Sequence, residues 1–366
     1  MDIEEQHPAL PALGDPIALG GRTAANHLAL APMTNKQSHS DGTLSSAEIE
    51  WLTRRARGGF GTVITGGWAI SPEARVWAGQ AALYEGRSAA PLAELGHHLS
   101  AAGALGIVQL IHGGSRYSPE QAGREGLSAS AGPGWREASE RDIVDVINAH
   151  RVAAEAVATA GLAGVEVHSA HGYLPAQFLS PTENLRTDSW GGDLAGRSRF
   201  LRASVRAIRA AVPSGFVVGV RLSAEDRHRG ITLEDTAQVA AWLVEDGMDY
   251  LHLSLGDALA SSRADPSRHP LDVIRPAVPA DLPIIAAGSI KTPSEARQLL
   301  RRGADVAALG LAAISEPAWP RLAAEPGWTP APPPHSPEQL AAVGVTAPFL
   351  AYLREGWPDL FLAGRD

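Results

Sequence analysis

Short apolar runs alternate along this chain with longer stretches in which apolar positions recur every three to four residues. The runs fall at residues 27–31, 62–65, 106–110, 164–167, 216–222, 250–253, 283–287 and 306–309, and each is short enough for a buried strand. Between them, 45–57, 89–102, 140–160, 196–212, 232–246 and 293–302 read as amphipathic helices, with Gly or Pro near most ends; 270–278 is the least regular helical stretch. Strict alternation of strand and helix predicts an α/β protein with a parallel sheet. Eight such units predict that the sheet closes as a single-domain (β/α)8 TIM barrel, a doubly wound open sheet being the alternative. The barrel is expected over residues 1–329. A proline-rich connection at 330–337 leads into a C-terminal tail, in which 336–357 reads as one more helix with an exposed aromatic end.

Composition narrows the chemistry. The 366 residues carry 45% hydrophobic side chains, enough for one large core, and a formal charge of −9 with the basic residues scattered. Neither nucleic acid nor an acidic membrane is an expected partner, and small-molecule chemistry is. With no cysteine, disulfides, thiolate nucleophiles, iron–sulfur clusters and cysteine-bound zinc are excluded. The opening MDIEEQHPAL has no leader pattern, and no segment has the length of a membrane span, so a cytoplasmic protein is expected. Only Lys36 and Lys291 are lysines, which disfavours Schiff-base chemistry.

A barrel enzyme builds its site from residues at and just past the C-terminal end of each strand. Here Ala31, Pro32, Met33 and Thr34 come after strand one, Gly66, Gly67 and Trp68 after strand two, and Gln109 and His112 stand at strand three. The most informative stretch, GVEVHSAHGYLPAQFLSPTENLRTDSWGG at 164–192, carries His168, His171 and Tyr173 at the end of strand four. Strand five supplies Arg221 and Ser223, strand seven ends in Gly288 and Ser289, and strand eight in Gly310 and Leu311.

Glycines at the last two strand ends suit a phosphate, because bare backbone N–H groups can approach it. A buried Arg221 requires an anion, either a ligand or an internal carboxylate such as Glu166. Gln109 can donate to and accept from a heteroaromatic ring, or merely bridge strands. Cation, amide, hydroxyl (Thr34) and phosphate nest together match flavin mononucleotide, leaving the two histidines and the tyrosine to face a substrate. Taken singly, each has a plain structural reading: satisfied core histidines, turn glycines, and Trp68 and Trp77 packed beneath a loop.

These residues resemble the Old Yellow Enzyme family of FMN-dependent ene-reductases, the NADH:flavin oxidoreductases, over residues 17–320. The motifs are LAPMTN at 30–35, VQLIHGG at 108–114, the 164–192 stretch, VGVRLS at 218–223, AAGSI at 286–290 and ALGLAAISEP at 308–317. The resemblance implies that Ala31, Pro32, Met33, Thr34, Gly67, Gln109, Arg221, Gly288, Ser289 and Gly310, with Leu311 beside it, form the FMN site. It implies that His168 and His171 bind an oxygen of the substrate and that Tyr173 is the proton donor. NADH or NADPH would reduce FMN and leave, and an alkene activated by a carbonyl or nitro group would then enter the same pocket. A homo-oligomer, dimer or tetramer, is expected, and no metal.

The chain departs from the family pattern at Leu311, where arginine is usual, and at Ser289, where a second glycine is common. Weakened FMN retention is the expectation, and redox-neutral isomerisation or cyclisation is the alternative activity. Arg354, in a tail that resembles one some relatives insert into a neighbouring subunit, is either an intersubunit contact or a solvated charge. A zinc hydrolase would use His168 and His171, with His112 as the nearest third ligand; a phosphate-binding module would have no need of Tyr173.

Overall fold

A computed structural model describes residues 12–123 and 125–360; the opening decapeptide lies outside them. Eight parallel strands close into a barrel in the order β6-β7-β8-β1-β2-β3-β4-β5. They are β1 Leu28–Leu30, β2 Thr62–Ala69, β3 Leu105–Ile111, β4 Gly164–Ser169, β5 Val217–Ser223, β6 Tyr250–Ser254, β7 Ile284–Ala287 and β8 Val306–Leu309. The outer helices are α1 Ser46–Arg57, α2 Ala89–Ala101, α3 Glu140–Thr159, α4 Leu194–Ala211, α5 Leu233–Glu245, α6 Pro270–Ile274 and α7 Pro293–Arg301. Each predicted run is thus a barrel strand.

Strand periodicity builds two cores. Ala29, Ile64, Ile107, Val217, Tyr250, Ile285, Val306 and Ala308 fill the barrel interior, while alternate residues such as Leu28, Leu30, Val63, Val108 and Val165 meet the helices. Gly219 on β5 leaves room for Tyr250 within, since a Cβ there would lie 2.0 Å from the tyrosine ring. The bottom is plugged by Leu19 of a hairpin, Ile17–Leu19 with Arg22–Ala24, that the hydrophobic pattern is too short to announce. Helix starts reflect local chemistry: Ser45 accepts from Glu48 N–H, and Thr232/Asp235 and Thr292/Glu295 form reciprocal capping boxes.

Two elements differ from expectation. Strand β2 runs on through Gly66, Gly67 and Trp68 to Ala69, because a register shift between Ile64 and Gly67 absorbs the irregular backbone and pairing resumes at Gly67 with Gln109. The tail forms two helices, Pro337–Ala342 and Ala347–Gly356, and packs inward. Phe349 is fully buried with its ring edge-on to Trp51 of α1 at 5.7 Å, and the buried Arg55 of α1 donates to the carbonyls of Ala313, Ile314 and Val343. Among the described residues no helix is long and apolar enough to cross a membrane.

Candidate active site

At the C-terminal end of the strands lies a cavity of about 460 Å³. Ala31, Pro32, Met33 and Thr34 line it from β1, His171 and Tyr173 from β4, and Arg221 from β5. Gly288 and Ser289 line it after β7, and Gly310 and Leu311 after β8. Gly67, Gln109 and His168 stand behind this wall. Gly67 pairs with Gln109 across β2 and β3, and His168 is buried beneath its neighbours.

The β4 cluster owes its shape to two consecutive left-handed residues, His171 (φ 58°) and Gly172 (φ 69°). They turn the chain sharply, so that both histidine rings and Tyr173 converge; a Cβ on Gly172 would strike the Arg229 guanidinium at 2.2 Å. The His168 ring lies edge-on to His171 at 5.0 Å and to Tyr173 at 4.8 Å. Ala170 N–H donates to His168 Nδ1 at 3.3 Å, which places the proton of a neutral His168 on Nε2 as a donor. Nε2 of His171 lies 2.7 Å from Ser254 Oγ, and that hydroxyl accepts from Arg221 Nη2 at 3.0 Å. Burial, then the charges of His171 and Arg221, pushes the His168 pKa well down; desolvation and the Arg221 and Arg116 charges lower His171 as well, though its outer edge is exposed. Both rings are therefore neutral donors at pH 7. Burial raises the Tyr173 pKa, so its phenol keeps its proton. Arg116 sits 4.9 Å over the Tyr173 ring and donates to the His171 carbonyl.

Arg221 is not neutralised by a hydrogen-bonded carboxylate. Glu166 spends its oxygens on Gln109 Nε2 (2.7 Å), Tyr250 OH (2.9 Å) and His252 Nδ1 (2.8 Å). Burial opposes ionisation of Glu166, yet His252, Arg221 and Gln109 outweigh it and hold the carboxyl anionic. Arg221 Nε stays buried without a partner, which in this cavity calls for an acceptor on a ligand. The bridging role of Gln109 is thereby met by Glu166.

These residues fit FMN. Arg221 offers an unspent donor, and a Cβ on Gly310 would find nothing closer than the Met33 sulfur at 3.6 Å, so the backbone there is open to a ligand. Gly288 has a packing reason of its own, since a Cβ would lie 2.6 Å from the Leu255 carbonyl oxygen.

Several lining residues carry no signal in their sequence neighbourhood: Arg116, Leu255 and Gly256 come from the loops at 115–136 and 255–269, which lack a readable pattern. Tyr352 of the C-terminal helix and Trp357 just past it, from the tail whose aromatic end the sequence shows, also line the cavity. Trp68 is buried and donates to Glu48, a packing role. Among the described residues no three His, Cys, Asp or Glu side chains converge as a metal site.

The sequence model of the NADH:flavin oxidoreductase / NADH oxidase family matches residues 12–326. The chain belongs to this family. It is an FMN-dependent oxidoreductase of the Old Yellow Enzyme group that takes reducing equivalents from NADH or NADPH. It is 33% identical to the probable NADH-dependent flavin oxidoreductase YqiG of Bacillus subtilis, over 86% of this chain and 88% of that protein. It is 32% identical to the NADH:fumarate oxidoreductase of Klebsiella pneumoniae over 82% of this chain, which amounts to 34% of that longer protein. The fold matches the old yellow enzyme homologue of Zymomonas mobilis with a TM-score of 0.79 at 24% identity, over 90% of this chain and 96% of that one.

Proposed function

We propose that this oxidoreductase reduces the C=C bond of alkenes activated by a carbonyl or nitro group. The observation that carries the reading is the convergence of two neutral imidazoles and a protonated phenol beside Arg221, with His171 and Tyr173 on the cavity wall and His168 packed edge-on behind them. Bound FMN supplies the hydride, having received it from NADH or NADPH.

The protein's part is to hold the alkene and manage charge. His168, donating from Nε2, and His171 bind the carbonyl or nitro oxygen. They thereby stabilise the negative charge that gathers there as the β-carbon is reduced; donors of this kind are typically worth about 10²–10³ in rate. Tyr173 then protonates the α-carbon, and its raised pKa keeps that proton available across the neutral range. Arg116, over the Tyr173 ring, stabilises the phenolate left behind until it is reprotonated from solvent. Arg221, through its unspent Nε, and the amide oxygen of Gln109 would hold the ring of FMN, and Thr34 of the β1 loop would add a hydroxyl.

The test is anaerobic. FMN-loaded protein is bleached with NADH or NADPH and then mixed with 2-cyclohexenone or a nitroalkene. Return of the yellow colour with formation of the saturated product is expected, and a nicotinamide deuterated at C4 places label at the β-carbon. Bleached protein that recovers its colour only with oxygen would overturn the reading.

A further inference from the structure

At the end of the cavity away from Tyr173, Gly288, Ser289, Gly310 and Leu311 face inward after β7 and β8. FMN differs from riboflavin by a phosphomonoester, which carries close to two negative charges at neutral pH. Open glycine backbone can supply N–H donors to such a group but no full positive charge. At the second position after β8, next to Gly310, the chain offers only Leu311, apolar and 39% exposed.

Among the described residues three cations line the cavity: Arg116, Arg221 and Lys291. Two are engaged at the other end. Arg221 donates to Ser254 beside His171, and Arg116 lies over Tyr173 while donating to the His171 carbonyl. Lys291 is different. It stands three residues beyond Gly288 on the same loop, and its main chain is pinned on both sides. Its N–H donates to Glu295 Oε2 at 2.8 Å, and its carbonyl accepts from Trp319 Nε1 at 2.9 Å. The same Glu295 oxygen also takes the Thr292 N–H at 2.8 Å, so this carboxylate is engaged with backbone. No hydrogen bond or ion pair among the described residues holds the Lys291 ammonium, which is free to turn into the cavity. The sequence sharpens the point, because only two of the 31 Lys and Arg residues are lysines.

We propose that Lys291 is the cation that binds the FMN phosphate, acting from the β7 loop where Leu311 leaves the β8 loop without a charge. A compact ammonium on a flexible stem suits a phosphate presented at variable angle, whereas an arginine would demand a fixed planar approach. The inference rests on the FMN cofactor and not on the alkene substrate.

The experiment is a binding titration of apo-protein with FMN and with riboflavin, read by flavin fluorescence, for the unmodified chain and Lys291→Met. A lost charge-assisted hydrogen bond predicts FMN weakened about 10- to 100-fold, with riboflavin affinity changed less than about twofold. The riboflavin arm reports that the pocket is intact, and neither arm requires nicotinamide or alkene. FMN affinity retained in Lys291→Met, or both flavins lost in equal measure, would overturn the proposal.

Discussion

Ser254 Oγ lies 2.7 Å from His171 Nε2, and the same hydroxyl takes a hydrogen bond from Arg221. One serine at the end of β6 therefore sets the ring plane of a residue on β4 and a cation on β5. If Ser254 donates to Nε2, the proton of His171 stands on Nδ1 as a donor. Ser254→Ala removes that orientation and leaves the backbone alone. Steady-state turnover of an enone should fall about 5- to 10-fold, the worth of one neutral hydrogen bond. Nicotinamide-driven bleaching should be less affected, and equal loss in both half-reactions would contradict this role.

Replacing Tyr173 by Phe deletes the proton donor while keeping its ring against His168. The alkene half-reaction should slow by about 10²-fold or more. The rate of bleaching by NADH or NADPH should stay within a few-fold, a separation that rapid-mixing absorbance resolves.

Arg221→Met tests the unpartnered Nε. A charged donor at the ring of the cofactor is common to FMN and riboflavin, so both should weaken together, by about 10-fold or more. Lys291→Met is expected to discriminate between them, and the pair of variants divides the cavity into a ring end and a phosphate end.

Stability should decline on mild acidification. Burial holds His112 at a pKa of about 3 and His150 at about 4, against 6.5 in an unfolded chain. Below pH 6.5 the unfolded state gains protons that the folded state refuses. Stability present above that value is lost as pH falls, at up to about 1.4 kcal/mol per pH unit for each histidine, down to roughly pH 4. Urea midpoints at about pH 7 and pH 5 measure the slope, and His150→Leu should make it shallower.

The C-terminal helix belongs to the core. Phe349→Ala should cost about 3–5 kcal/mol through the cavity left against Trp51, read as a lowered urea midpoint. An unchanged midpoint would show that the tail contributes nothing to the fold.

The barrel was legible because its determinants are local. Runs such as 284–287 and 306–309 are apolar on both faces, as parallel strands buried inside and out must be, and caps such as Ser45 and Thr292 announce the helices between them. Order along the chain then places every strand end on one rim, so His171, Tyr173, Arg221, Gly288 and Gly310 could be grouped around one cavity without coordinates. Tertiary structure alone decided the rest. That Glu166 is taken by Gln109, Tyr250 and His252, that Arg221 keeps an unspent donor, and that Ser254 reaches His171 all follow from how distant segments meet. Hydrophobic period specifies which way a residue faces; which polar group satisfies it depends on closure of the barrel and on loops that carry no period at all.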